Sequence, residues 1–145
     1  MSMRRCALLV LMTLLGAVAY LAAKEQSLQE MIARANAAPL KDQPSLYIDI
    51  AEHQLKSADQ LYNQGKVEDA RSAIMDVVTY SEKAHDAAIQ SGKKLKPAEM
   101  ASRKMAHRLQ DIKRTLNFED QAPVQAAAER LEALAQDLLN HMFGK

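Results

Sequence analysis

The chain has 145 residues, with 19 Lys and Arg against 18 Asp and Glu, one cysteine, no tryptophan and two phenylalanines. This near-neutral balance provides no global field for nucleic acid or an anionic membrane. Scarce aromatics leave little from which to build flat platforms for sugars or planar ligands, and four scattered glycines form no phosphate-cradling loop.

The N-terminus reads as an export signal. Arg4 and Arg5 form a short basic region, Cys6 to Ala23 carries no charge, and Leu8 to Leu15 is a compact apolar run. Ala17-Val18-Ala19 fits the small-x-small rule for signal peptidase, so cleavage is expected after Ala19, with Ala23 as the second choice. The alternative is an uncleaved signal that anchors the chain in the inner membrane, since 18 uncharged residues lie near the lower limit for spanning a bilayer. Cys6 precedes the apolar run, whereas a lipoprotein signal places its cysteine at the cleavage site. Cleavage therefore leaves roughly 120 residues with no cysteine. Disulfides, thiolate metal sites, iron–sulfur clusters and cysteine nucleophiles are excluded from the mature chain.

Glu25 to Ala38 has helical propensity and a weak apolar stripe at Leu28, Met31 or Ile32, and Ala35. Ala38-Pro39 and Gln43-Pro44 break it, giving a short helix and a linker over residues 24–44 between a signal at 1–23 and a helical domain at 45–145. Pro44 suits the first turn of the next helix. Ile48, Ala51, Leu55, Ala58 and Tyr62, then Val67, Ala70, Ile74, Val77, Ser81, Ala84 and Ala88, recur at helical spacing. Each set lies on one face, so each face needs a partner. Gly65 can take the left-handed conformation that ends a helix, and Glu68 and Asp69 suit the positive start of the next. The stretch is a helical hairpin.

Ala58, Leu61, Gly65, Ala70 and Ile74 follow the small, large, Gly, Ala and large positions of the tetratricopeptide repeat, and over about 30 residues the hairpin resembles one such unit. Arrays repeat every 34 residues or so, yet Gly65 then maps to Glu99, Ala70 to Lys104, and Pro97 interrupts the copy. A single unit implies a hairpin and lends little to a peptide-binding role, because the concave binding surface needs an array.

Ser91-Gly92 ends the long helix, Lys93-Lys94 faces its negative end, and Pro97 starts a third helix with Ala98, Ala101, Met105, Leu109, Ile112 and Leu116 inward. Asn117 to Gln121 breaks it. Asp120 is the expected N-cap of a fourth helix, with Pro123 in its first turn and Val124, Ala127 or Ala128, Leu131, Leu134 or Ala135, Leu138 and Met142 inward. The fold expected is all-α: an up-down four-helix bundle of two αα-hairpins, with short connections favouring antiparallel neighbours.

Three functional readings follow. Lys93 to Arg114 carries eight bases and two acids, Glu99 and Asp111. Lys96, Arg103, Lys104, His107 and Arg114 form the candidate surface for an anionic envelope polymer. The competing reading is a solvated face balanced by acids such as Asp76, Glu82, Asp86, Glu129 and Glu132 on neighbouring helices. Second, His53, His85, His107 and His141 lie on four different helices and no His-x-x-x-His or Glu-x-x-His arrangement is expected, so a di-iron bundle is not expected and the histidines read as surface residues. A metal- or haem-binding bundle would have to gather scattered His and Met, and the methionines, among them Met100, Met105 and Met142, read better as core filling. No metal ligand set, cofactor or catalytic residue is assigned, and no nucleophile elbow or Ser–Lys dyad stands out. The leading expectation is a non-enzymatic exported protein whose partner is another protein or itself. In organisation the chain is similar to small exported bacterial helical-bundle proteins of unknown function.

Overall fold

The computed structural model describes residues 27–144. The signal, its cleavage sites, Cys6 and the start of the linker region lie outside the described residues. Five α-helices and one short 3-10 turn make up an all-α bundle, with no strand among the described residues. They are α1 (residues 27–37), α2 (Gln43–Asn63), α3 (Val67–Ser91), α4 (Leu95–Arg114) and α5 (Gln121–Phe143), with the 3-10 turn at Phe118–Asp120 between the last two.

Boundaries follow the local chemistry. Pro44 sits in the first turn of α2, and Gln43 bonds back through Nε2 to the Ala38 carbonyl at 3.2 Å. Gly65 has φ +73° and turns α2 into α3, while Gly92 at φ +65° ends α3, both in the left-handed region that glycine enters at little cost. Lys94 shares that conformation at φ +62° without being glycine, so the three-residue connection to α4 stores strain of about 1 kcal/mol. Asp120 stands at the N-cap position of α5, yet its side chain makes no capping bond and instead accepts from Arg71 on α3.

Two apolar layers hold the bundle. One joins Leu55 and Ala58, Ile74 and Val77, Leu109 and Ile112, and Val124 and Leu131. The other joins Tyr47 and Ile50, Ala84 and Ala88, Ala98, and Leu138, and α1 closes it with Ala35. The first layer takes the later halves of α2 and α4 and the earlier halves of α3 and α5, so α2 and α4 run one way and α3 and α5 the other. Each hairpin is antiparallel, as expected. The hairpins meet through α3 against α5 and α2 against α4, pairs that run in the same direction. The expected inward positions are buried or half-buried, with Ala73, Ala87 and Ala106 added to them. Alanine at these contacts lets the axes approach closely. Among the described residues, no helix is long and apolar enough to cross a membrane.

Candidate functional site

Several basic residues of α4 are paired with acids of their own helix or of α2. Lys96 and Arg103 both turn to Glu99, Lys96 Nζ donating at 3.2 Å and Arg103 Nε at 2.8 Å. Glu99 is 4% exposed, a buried carboxylate held by two bases of its own helix. The hydrogen bond from Arg103, reinforced by Lys96, outweighs burial and lowers its pKa below the ordinary carboxylate value. Arg114 lies at the end of α4 on Asp111, 3.1 Å away. Lys104 and His107 face α2 across a cleft. Acids do neutralise this helix, but they are Glu99 and Asp111 of α4 itself and Asp59 of α2. Four of the five acids expected on α3 and α5 are engaged elsewhere: Asp76 with Gln54, Glu82 with Arg130, Asp86 with His85 and Glu129 with Gln125.

The cleft between α2 and α4 measures about 510 Å³. Leu55 and Met105 form its floor, and Arg108 Nη2 crosses it to Asp59 at 2.6 Å. Glu52 and Lys56 of α2 and Lys104 and Asp111 of α4 line its walls, so the charges balance locally.

One histidine differs from the surface role expected of it. The His85 side chain is only 13% exposed and sits between Asp86, 2.9 Å from Nδ1, and Asp137 of α5, 2.6 Å from Nε2. A neutral imidazole has one N–H and can donate to only one of these carboxylates. His141 Nδ1 hydrogen-bonds the Asp137 carbonyl at 3.0 Å, so α5 brings a second histidine to the same carboxylate residue. The Asp137 contact was not legible, since 52 residues separate it from His85. Contrary to the expectation, Glu82-Lys83-Ala84-His85 does carry a Glu-x-x-His spacing, but Glu82 is turned to Arg130. Among the described residues, no group of three or more His, Cys, Asp or Glu is placed to hold a metal ion.

The second groove, also about 510 Å³, runs along the seam of α3 and α5. Its lining surface is mostly apolar, with Ile74, Met75 and Val78 from α3 and Pro123, Ala126 and Ala127 from α5, and it is completed by Arg71, Thr79 and Arg130. Met75 is 70% exposed, so its thioether stands out into solvent beside the small Ala126. Met100 is likewise exposed, so two of the methionines of the helices do not fill the core. Three polar links tie the seam in one register. Arg71 bonds Asp120 at 3.1 Å, Arg130 bonds Glu82 at 2.7 Å, and His85 meets Asp137. Arg71 also reaches Glu68 at 3.0 Å.

Near the Arg71 end lies Tyr62, whose buried hydroxyl has no hydrogen-bond partner among the described residues, as is also true of Arg71 Nε. Burial raises the Tyr62 pKa; Arg71 opposes the shift, and Asp120 and Glu68 add to it. No family model, curated protein or solved structure matches the chain.

Proposed function

We propose that this is an exported, non-enzymatic helical protein that works by binding a protein partner in the cell envelope, and that the α3–α5 groove is the binding face. The export signal read in the sequence supports the location. The observation that carries the binding role is the groove itself. It joins a solvent-exposed Met75 to an apolar floor between two helices of one direction, with its charges confined to the two ends. A third helix laid along such a seam buries apolar surface on both walls, the mode by which an amphipathic helix docks in a groove. Methionine suits this role because its unbranched thioether adapts to the surface it meets.

Site-specific photocrosslinkers placed at Met75 and at Ala126 in the native envelope test the reading. Capture of a protein at both positions, with none from a crosslinker at Lys56 in the opposite cleft, is the expected result. No crosslinked protein at either groove position removes the proposal.

A further inference from the structure

The two ends of the bundle differ in charge, and helix chemistry does not explain the difference. A helix start carries partial positive charge, which acids stabilise and bases oppose. At the end that holds the α2–α3 and α4–α5 connections this rule is kept: Glu68 and Asp69 open α3, and Glu119 and Asp120 precede α5. At the other end neither α2 nor α4 has an acid in its first turn. Lys41 stands just before α2, and Lys93, Lys94 and Lys96 stand before and within the start of α4. Residues 38–42 and 92–96 thus hold four lysines and one acid, Asp42, whereas residues 64–69 and 113–120 at the opposite end hold three bases and four acids. Lys96 is held by Glu99, but Lys41, Lys93 and Lys94 are exposed and join no ion pair among the described residues. The negative end of α3 favours Lys93, yet Lys94 is kept in a left-handed conformation that glycine would adopt without strain. Apolar side chains stand among these lysines. Leu40, beside Lys41, is 41% exposed, and Phe143 at the end of α5 is 74% exposed. Phe143 lies five residues beyond Leu138, and Lys93 five beyond Ala88, both members of the layer that Tyr47 and Ala98 share. At the helical rise all of them lie within roughly 12 Å of that layer, on one end face of the molecule.

We infer that this end of the bundle docks on a membrane surface that carries anionic lipid, with Lys41, Lys93 and Lys94 on the headgroup phosphates and Leu40 and Phe143 in the interfacial layer. Anionic headgroups supply the negative charge that the starts of α2 and α4 lack, and they attract lysines that lie within a screening length of the surface. The acids of the opposite end lie some 30 Å away along α3, well beyond the screening length of about 8 Å, so the neutral total does not oppose the attraction. The apolar boundary beneath the headgroups takes Leu40 and Phe143, which a soluble polyanion would leave in water. In this pose the long helices stand on the membrane and the α3–α5 groove faces sideways, so the inference does not rest on that groove.

The chain has no tryptophan, so one introduced at a chosen place reports its own surroundings. Full-length Phe143→Trp is mixed with vesicles of phosphatidylcholine alone, or of phosphatidylcholine and phosphatidylglycerol in equal parts. Phe118→Trp, at the opposite end where Phe118 is 90% exposed, is the control. Emission of Phe143→Trp is expected to move to the blue with the anionic vesicles only, and that of Phe118→Trp to stay in place with both. Adding Lys41→Gln, Lys93→Gln and Lys94→Gly to Phe143→Trp is expected to abolish the shift. Circular dichroism checks the fold of each variant, and Lys94→Gly by itself relieves strain, so a loss of docking with it is not a loss of folding. No shift at Phe143→Trp with anionic vesicles overturns the inference, as does a shift that survives the lysine substitutions or appears equally with phosphatidylcholine alone. An equal shift at Phe118→Trp overturns it because another face docks. An equal shift with soluble polyphosphate overturns it because the ligand is then a free polyanion.

Discussion

The α2–α4 cleft and the α3–α5 groove have the same size and flank helix pairs of the same kind, yet they present opposite chemistry. In the first, Arg108 and Asp59 bridge the middle, and the walls alternate bases with acids. In the second, the ion pairs sit at the ends and the middle is methionine, valine, isoleucine and alanine. Placement of charge along a seam, more than its depth, decides whether the seam is satisfied by water or needs a covering surface. The α2–α4 side carries an ion pair across its middle. The α3–α5 side leaves its apolar middle open to solvent.

The comparison can be broken outright by removing what both seams share. Leu131→Ala empties a fully buried position in the layer common to all four long helices, and a loss of about 2–5 kcal/mol is expected in urea unfolding. Next in size is Glu99. Because its folded pKa is lowered, its stabilising contribution is present above the ordinary carboxylate value and is lost as pH falls through the folded value. Glu99→Gln should cost about 1–3 kcal/mol at neutral pH and flatten the acid limb of a stability–pH profile. Lys94→Gly acts in the other direction, relieving the left-handed strain in the α3–α4 connection and raising stability by about 1 kcal/mol. The smallest change separates the two seams most sharply. Arg108→Ala removes the cross-cleft bridge, but Arg108 is 53% exposed, so a loss of no more than about 1 kcal/mol is expected. Met75→Glu should leave the unfolding midpoint nearly unmoved while abolishing capture by the crosslinker at Ala126, which stability measurements and crosslinking on the same variant will separate.

Local signals in this chain were unusually readable. Apolar residues at helical spacing from Ile48 through Leu138 marked the inward faces, and Gly65, Gly92, Pro44, Pro97 and Pro123 marked the corners and first turns, because these residues restrict or release the backbone wherever they stand. The candidate site was less readable. The row of bases on α4 looked continuous on a helical wheel, but Glu99 on the same helix draws Lys96 and Arg103 inward toward it, and Asp59, 49 residues away, takes Arg108. Asp120 looked like a cap because of its position before a helix, and was claimed instead by Arg71 across the bundle.

The sequence by itself determined the helices, their inward faces and the two hairpins, since periodicity and turn residues act over a few positions. Which hairpin faces met, and so which faces stayed uncovered, only the tertiary structure decided. The docking of α3 on α5 set Arg71 beside Asp120, Arg130 beside Glu82 and His85 beside Asp137, and left Met75 outside the core. The physical reason is that an alanine-rich helix can pack closely on more than one side, and the choice among those sides depends on contacts between residues far apart in the chain.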